Sequence, residues 1–187
     1  MSLMTTTSQT VGPYFCIGLE WLHRDRLFDA GTAGEAFSVR GRIIDGQGKG
    51  ANGAMLEIWQ ADPQGRYPVA PPGPAQQSSL QGFGRVAGDA QGHFSFHSVK
   101  PGVVAAPSGT PQAPHVLVVV FARGLLRHLH TRMYFPGELT NARDPLLTSV
   151  DPARQTTLVA RLCAGSAGQM SWDIVLQGPG ETVFLDC

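Results

Sequence analysis

The chain has 187 residues, 42% hydrophobic and 15% charged, and its 14 basic and 14 acidic side chains leave a formal net charge of +0. That length suits one domain with a full core. Zero net charge excludes the basic field that nucleic acid or an anionic membrane surface requires, and no run approaches the roughly 18 apolar residues of a membrane span.

Met1-Ser2-Leu3 ahead of Met4 reads as an expression scar, and no basic stretch leads into an apolar one as in a secretory leader. Residues 4–35 form an N-terminal arm, and a single domain spans 1–187. A short helix is expected near Leu19–Leu27. Strand-like runs then follow at Ala36–Ile44, Ala54–Gln60, His93–Val99, His115–Ala122 and Arg127–Phe135. A second short helix is expected at Asp151–Leu158, and further strands at Met170–Gln177 and Thr182–Leu185. Val, Ile, Phe and Leu alternate with polar residues in several runs, and Gly and Pro clusters bound them. The fold class this predicts is all-β: an antiparallel β-sandwich with long loops and one or two short helices.

Asp-x-Gln-Gly occurs three times, at Asp45–Gly48, Asp62–Gly65 and Asp89–Gly92. Asp opens such a turn by accepting from the backbone ahead of it, and Gly closes it with positive φ. Calcium ligation would need more carboxylates per loop. Two long loops, Pro68–Gln81 and Pro101–Pro114, have the length of contact or functional loops. Cys16, Cys163 and Cys187 are odd in number and far apart, as free thiols in a reducing cytoplasm would be. The low charged fraction points to a surface covered by a partner, although a large core with polar uncharged loops would read the same.

No phosphate-cradling glycine loop and no G-x-S-x-G nucleophile elbow is present. Of the six histidines, His128 and His130 share one strand face and could reach one metal, but Arg127 and Arg132 flank them and two imidazoles leave a site short of ligands. His23, His93 and His97 read as structural or solvent-facing. Tyr67 follows a turn and His115 opens an apolar strand. A phenolate and an imidazole suit a ferric ion, and ordinary packing would use the same residues.

These residues belong to a longer pattern. Ser8-Gln9-Thr10-Val11-Gly12-Pro13-Tyr14, Ile58-Trp59-Gln60-Ala61-Asp62, Phe83-Gly84-Arg85, Val99-Lys100-Pro101-Gly102, Ala113-Pro114-His115, Phe121-Ala122-Arg123-Gly124, His128–Phe135 and Gln177–Phe184 occur in order. In this the chain resembles the intradiol ring-cleavage dioxygenases, and among them the alpha chains of the protocatechuate 3,4-dioxygenases. The resemblance implies a non-haem ferric site of two tyrosines and two histidines in the catalytic chains. Carried across, the first tyrosine falls on Tyr67 and the first histidine on His115. The second tyrosine falls on Val104, the second histidine on Leu117, and an active-site arginine on Gln112. Val and Leu have no lone pair to donate. The expectation is therefore no catalytic residue, no metal in this chain (Tyr67 and His115 being vestigial ligand positions), and Fe(III) on a partner beta subunit. Thr10, Gly12, Pro13, Tyr14 and Arg123 are expected to line a substrate pocket for protocatechuate and O2 on that partner. The alternatives are a self-sufficient homomeric intradiol enzyme and a non-enzymatic β-sandwich binding module.

Overall fold

The computed structural model describes residues 18–68, 81–105 and 109–186. Thr10, Gly12, Pro13, Tyr14, Cys16 and Cys187 lie outside the described residues, as does most of the Pro68–Gln81 loop. The strands in chain order are β1 (Ala36–Ile44), β2 (Met55–Gln60), β3 (Phe83–Ala87), β4 (His93–Val99), β5 (His115–Phe121), β6 (Leu129–Tyr134), β7 (Arg161–Leu162), β8 (Gln169–Ser171) and β9 (Ile174–Val175). One sheet runs β4-β1-β8-β7 with β9 also on β1, and the other runs β3-β2-β5-β6.

Alternation decides which side of each sheet is apolar. Phe37, Val39 and Ile43 of β1, Phe94 and Phe96 of β4, and Met170, Trp172 and Ile174 near the C-terminus face inward from the first sheet. Leu56, Ile58, Val86, Val116, Val118, Val120 and Met133 meet them from the second. Phe37 packs edge-on against Phe96 at 6.2 Å and against Phe135 at 5.1 Å, a favoured aromatic geometry. One buried amide ties the sheets together: Gln60 donates to the Val99 carbonyl at 2.7 Å and accepts from the Ser98 hydroxyl at 2.7 Å.

The sandwich agrees with expectation, but its first sheet is mixed. β1 pairs antiparallel with β4 from Ala36↔Val99 to Arg42↔His93, and parallel with β8 and β9. A parallel neighbour needs a long crossover, and the second sheet supplies it. β1 closes tightly on this C-terminal segment. A Cβ on Gly41 would stand 1.7 Å from the Trp172 carbonyl oxygen and 2.8 Å from the Phe94 ring.

Other departures have local causes. β3 was not expected because Gly84 weakens its strand signature; a Cβ there would meet Leu27 Cδ1 at 2.7 Å. The expected Met170–Gln177 strand divides into β8 and β9, and the Asp173 carboxylate at the break accepts from the Arg42 amide at 2.9 Å. The expected Thr182–Leu185 strand reduces to an isolated bridge, Leu185 to His130. Leu19–Leu27 contains only the 3-10 turn Glu20–Leu22. Within the expected Asp151–Leu158 helix, α2 (Pro152–Gln155) forms behind an Asp151 cap. Before it stand a 3-10 turn at Leu139–Arg143 and α1 (Pro145–Ser149), capped by Asp144, neither of which was expected.

The three Asp-x-Gln-Gly turns are nearly superimposable in their bonding. In each, one Asp oxygen accepts from the amides two and four residues on at 2.8–2.9 Å. Gly48, Gly65 and Gly92 take φ of 75, 78 and 79°. One carboxylate oxygen of each Asp is thus engaged by the chain's own amides, the bonding expected of an Asp-opened turn.

Candidate functional site

His115 is the first residue of β5, an interior strand of the second sheet, and is 1% exposed. Its Nδ1 lies 2.7 Å from the Ala113 carbonyl oxygen. A carbonyl only accepts, so Nδ1 carries the proton and Nε2 presents its lone pair. The Tyr67 hydroxyl stands 3.1 Å from Nε2 and donates to it. Burial first, then the Arg132 charge, hold His115 down at about 4, against weaker upward pulls from Ala113 and Asp144. Burial raises Tyr67 above the usual phenol range, with Arg132 pulling the other way. At neutral pH the pair is therefore a neutral phenol bonded to a neutral imidazole.

A buried carboxylate supports this corner. Asp144 is 0% exposed. It accepts from the Tyr134 hydroxyl at 2.9 Å, the Ala113 amide at 2.8 Å, and the Leu146 and Leu147 amides at 3.0 and 2.8 Å. One side chain thus caps α1, anchors the end of β6, and fixes the Ala113 peptide whose carbonyl orients His115.

Val104 and Leu117, on which the resemblance set the other two ligand positions, are apolar. Val104 is 6% exposed and exchanges backbone hydrogen bonds with Gln112 at 3.0 and 2.8 Å. Leu117 lies between Trp59 of β2 and Arg132 of β6 in register. Among the described residues, no three His, Cys, Asp or Glu side chains converge as a metal-binding group. The spacing of Tyr67 and His115 does suit adjacent ligands of one ion, which at bond lengths of about 2.1 Å stand about 3 Å apart. Among the described residues, two donors bonded to each other beside Leu117 and the Arg132 guanidinium do not fit a ferric centre.

Arg123 is in a different place. It is exposed in the turn after β5, where Leu125 bonds back to Ala122 at 3.3 Å. Eight residues of mostly extended chain separate it from His115, roughly 25 Å. It cannot serve the Tyr67–His115 corner. The His128 and His130 rings meet edge-on at 4.8 Å, and His130 stands opposite Val119, away from the His115 end of β5. A cavity of about 960 Å³ lies on the other sheet between His23, Arg40, Arg42, Asp89, His93 and Asp173.

Two residues of the corner were missed in the sequence. Asp144 precedes Pro145, a helix-start signature, but a five-residue helix shows no periodicity. Arg132 was read only as a neighbour of His130. Its position two residues before Tyr134, which pairs with His115, places it in register with Leu117.

The two-sheet sandwich thus brings Tyr67 of a loop against His115 at the start of a central strand. The chain belongs to the intradiol ring-cleavage dioxygenase family, with the family model described as Dioxygenase (Dioxygenase_C) matching residues 11–178. It is 40% identical to the protocatechuate 3,4-dioxygenase alpha chain of Pseudomonas putida, over 98% of this chain and 97% of that one. It is 34% identical to the protocatechuate 3,4-dioxygenase beta chain of Burkholderia cepacia, over 80% of this chain and 67% of that one. Among solved structures, the dioxygenase domain of a dioxygenase–carbohydrate-binding protein fusion from Streptomyces sp. SirexAA-E superposes with a TM-score of 0.65 at 27% identity, covering 96% of this chain and 100% of that one. Intradiol dioxygenases are iron enzymes. No helix among the described residues is long and apolar enough to cross a membrane.

Proposed function

We propose that this chain is the iron-free alpha subunit of a protocatechuate 3,4-dioxygenase, with the ferric site on a partner beta chain. The observation that carries this reading is the half-replaced ligand set: Val104 and Leu117 stand at two positions, and Tyr67 and His115 at the other two bond each other. The near full-length identity to an alpha chain is the second support. The assembled enzyme inserts both atoms of O2 while opening protocatechuate between its hydroxylated carbons, giving 3-carboxy-cis,cis-muconate. Ferric iron on the partner supplies the means of bringing catecholate and O2 together.

This chain's part is binding and orientation. Arg123, exposed on its turn, offers donors that suit the substrate carboxylate. Thr10, Gly12, Pro13 and Tyr14, outside the described residues, belong to the proposed pocket by residue type: a proline ring restricts the backbone, and Thr and Tyr carry hydroxyls. Residues 1–187 act as one domain within a cytoplasmic catabolic enzyme.

The test is co-expression with a protocatechuate 3,4-dioxygenase beta chain, followed by iron analysis and assay of ring cleavage. The expected result is a complex with one iron per alpha–beta pair, activity only in the complex, and a colourless isolated alpha chain. A red-brown, iron-loaded and active isolated chain would establish the homomeric enzyme instead, and absence of any complex would establish the binding module.

A further inference from the structure

Arg132 sits on β6 directly across from Leu117, where cross-strand neighbours on one face have Cβ atoms about 5 Å apart. Leu117 is the position a second histidine ligand would take, so any ligand placed there stands shoulder to shoulder with the guanidinium. The Arg132 charge acts on both Tyr67 and His115. No salt bridge to Arg132 is found among the described residues, and its Nε and Nη1 atoms are buried without a hydrogen-bond partner. The nearby carboxylate, Asp144, is occupied by four donors. Arg132 bonds the Tyr134 hydroxyl, and the Asp144 carboxylate reaches His115 only as a weaker upward pull than Arg132's downward one, so among the described residues the guanidinium faces the Tyr67–His115 pair without a salt-bridge partner of its own.

We propose that Arg132 is the residue that keeps this corner free of metal, acting independently of the two missing ligands. A triply charged ion would have to enter beside a fixed positive charge, in surroundings that screen it poorly. Restoring both ligand side chains is then insufficient while Arg132 remains. The inference concerns this chain alone and stands whether or not it is an alpha subunit.

The experiment uses the full-length chain carrying Val104→Tyr and Leu117→His, with position 132 as Arg, Lys or Gln. Each variant is checked for cooperative thermal unfolding, then loaded with ferric iron. Iron content and the visible phenolate-to-iron absorption are measured. The Arg and Lys forms are expected to bind little iron, while the Gln form, polar and similar in reach but uncharged, binds close to one per chain and colours. Equal iron in the Arg and Gln forms overturns the proposal, as does a folded Gln form that takes none. Should the ligand variants fail to fold, Arg132→Gln alone is titrated with gallium(III), a redox-inert ion of ferric charge. Its affinity is expected to rise at least about tenfold over the unaltered chain, and an unchanged affinity refutes the role.

Discussion

Replacing Asp144 with Ala should be among the most damaging single changes in the molecule. The carboxylate is 0% exposed and its four donors are the Ala113, Leu146 and Leu147 amides and the Tyr134 hydroxyl. Tyr134 is 0% and Ala113 1% exposed, so water cannot replace the carboxylate without opening the corner. A buried donor left unsatisfied costs about 1–3 kcal/mol. With Leu146 part-buried and some relaxation around the gap, the loss should be about 4 kcal/mol. For a domain of this size that lowers Tm by roughly 8–16 °C. Asp144→Asn keeps one carbonyl. It can face either Ala113 or the start of α1, while the amide nitrogen meets a donor on the other side, so about 2 kcal/mol is expected. Urea unfolding of the three proteins measures both steps. An Ala variant that loses less than about 1.5 kcal/mol would refute the hub. An Asn variant as damaged as Ala would place the effect in the charge rather than in the hydrogen bonds.

His115 gives a pH signature. Burial holds its folded-state value at about 4, below the 6.5 of a free imidazole. The neutral form is therefore favoured by folding, and stability is complete above 6.5 and falls as pH drops from 6.5 towards 4. The loss should be roughly 3 kcal/mol, and His115→Met should lose that much less than the unaltered chain between pH 7 and pH 4. Parallel curves for the two proteins would contradict this. Gly41→Ala should abolish cooperative folding or cost more than about 3 kcal/mol, since the Trp172 carbonyl occupies the space a Cβ needs; a thermal scan decides. Arg123→Ala in the alpha–beta complex should raise KM for protocatechuate by about 10- to 100-fold with Tm unchanged, because the residue is exposed. Unaltered steady-state kinetics would remove it from the substrate pocket.

Much of the fold was legible because its strands alternate cleanly. β1 and β4 occupy the expected residues throughout, and β5 and β6 fall inside theirs. β3 was hidden by Gly84, whose role is a close approach to Leu27 rather than a strand preference. The parallel pairing of β8 and β9 could not be read, since periodicity reports which face is buried and not which neighbour is bonded. At the site, Tyr67 and His115 were found by residue type, and the structure brings them into contact at 3.1 Å. Arg132 and Asp144 act through register and burial. A pairing table is needed to see the first, and a count of bonds to see the second.

The parallel bonding of β1 to the C-terminal strands also has a kinetic consequence. Ser38 and Gln169 are register partners about 130 residues apart in sequence. Contacts that distant must wait for most of the chain, and loop closure on that scale slows folding. During synthesis, β2, β3, β5 and β6 can assemble on the ribosome, whereas β1 keeps an open edge until its last partners emerge. A nascent chain would thus pass through a stage in which β1 is bonded to β4 on one side and open on the other, the stage at which aggregation or a chaperone would compete for that edge.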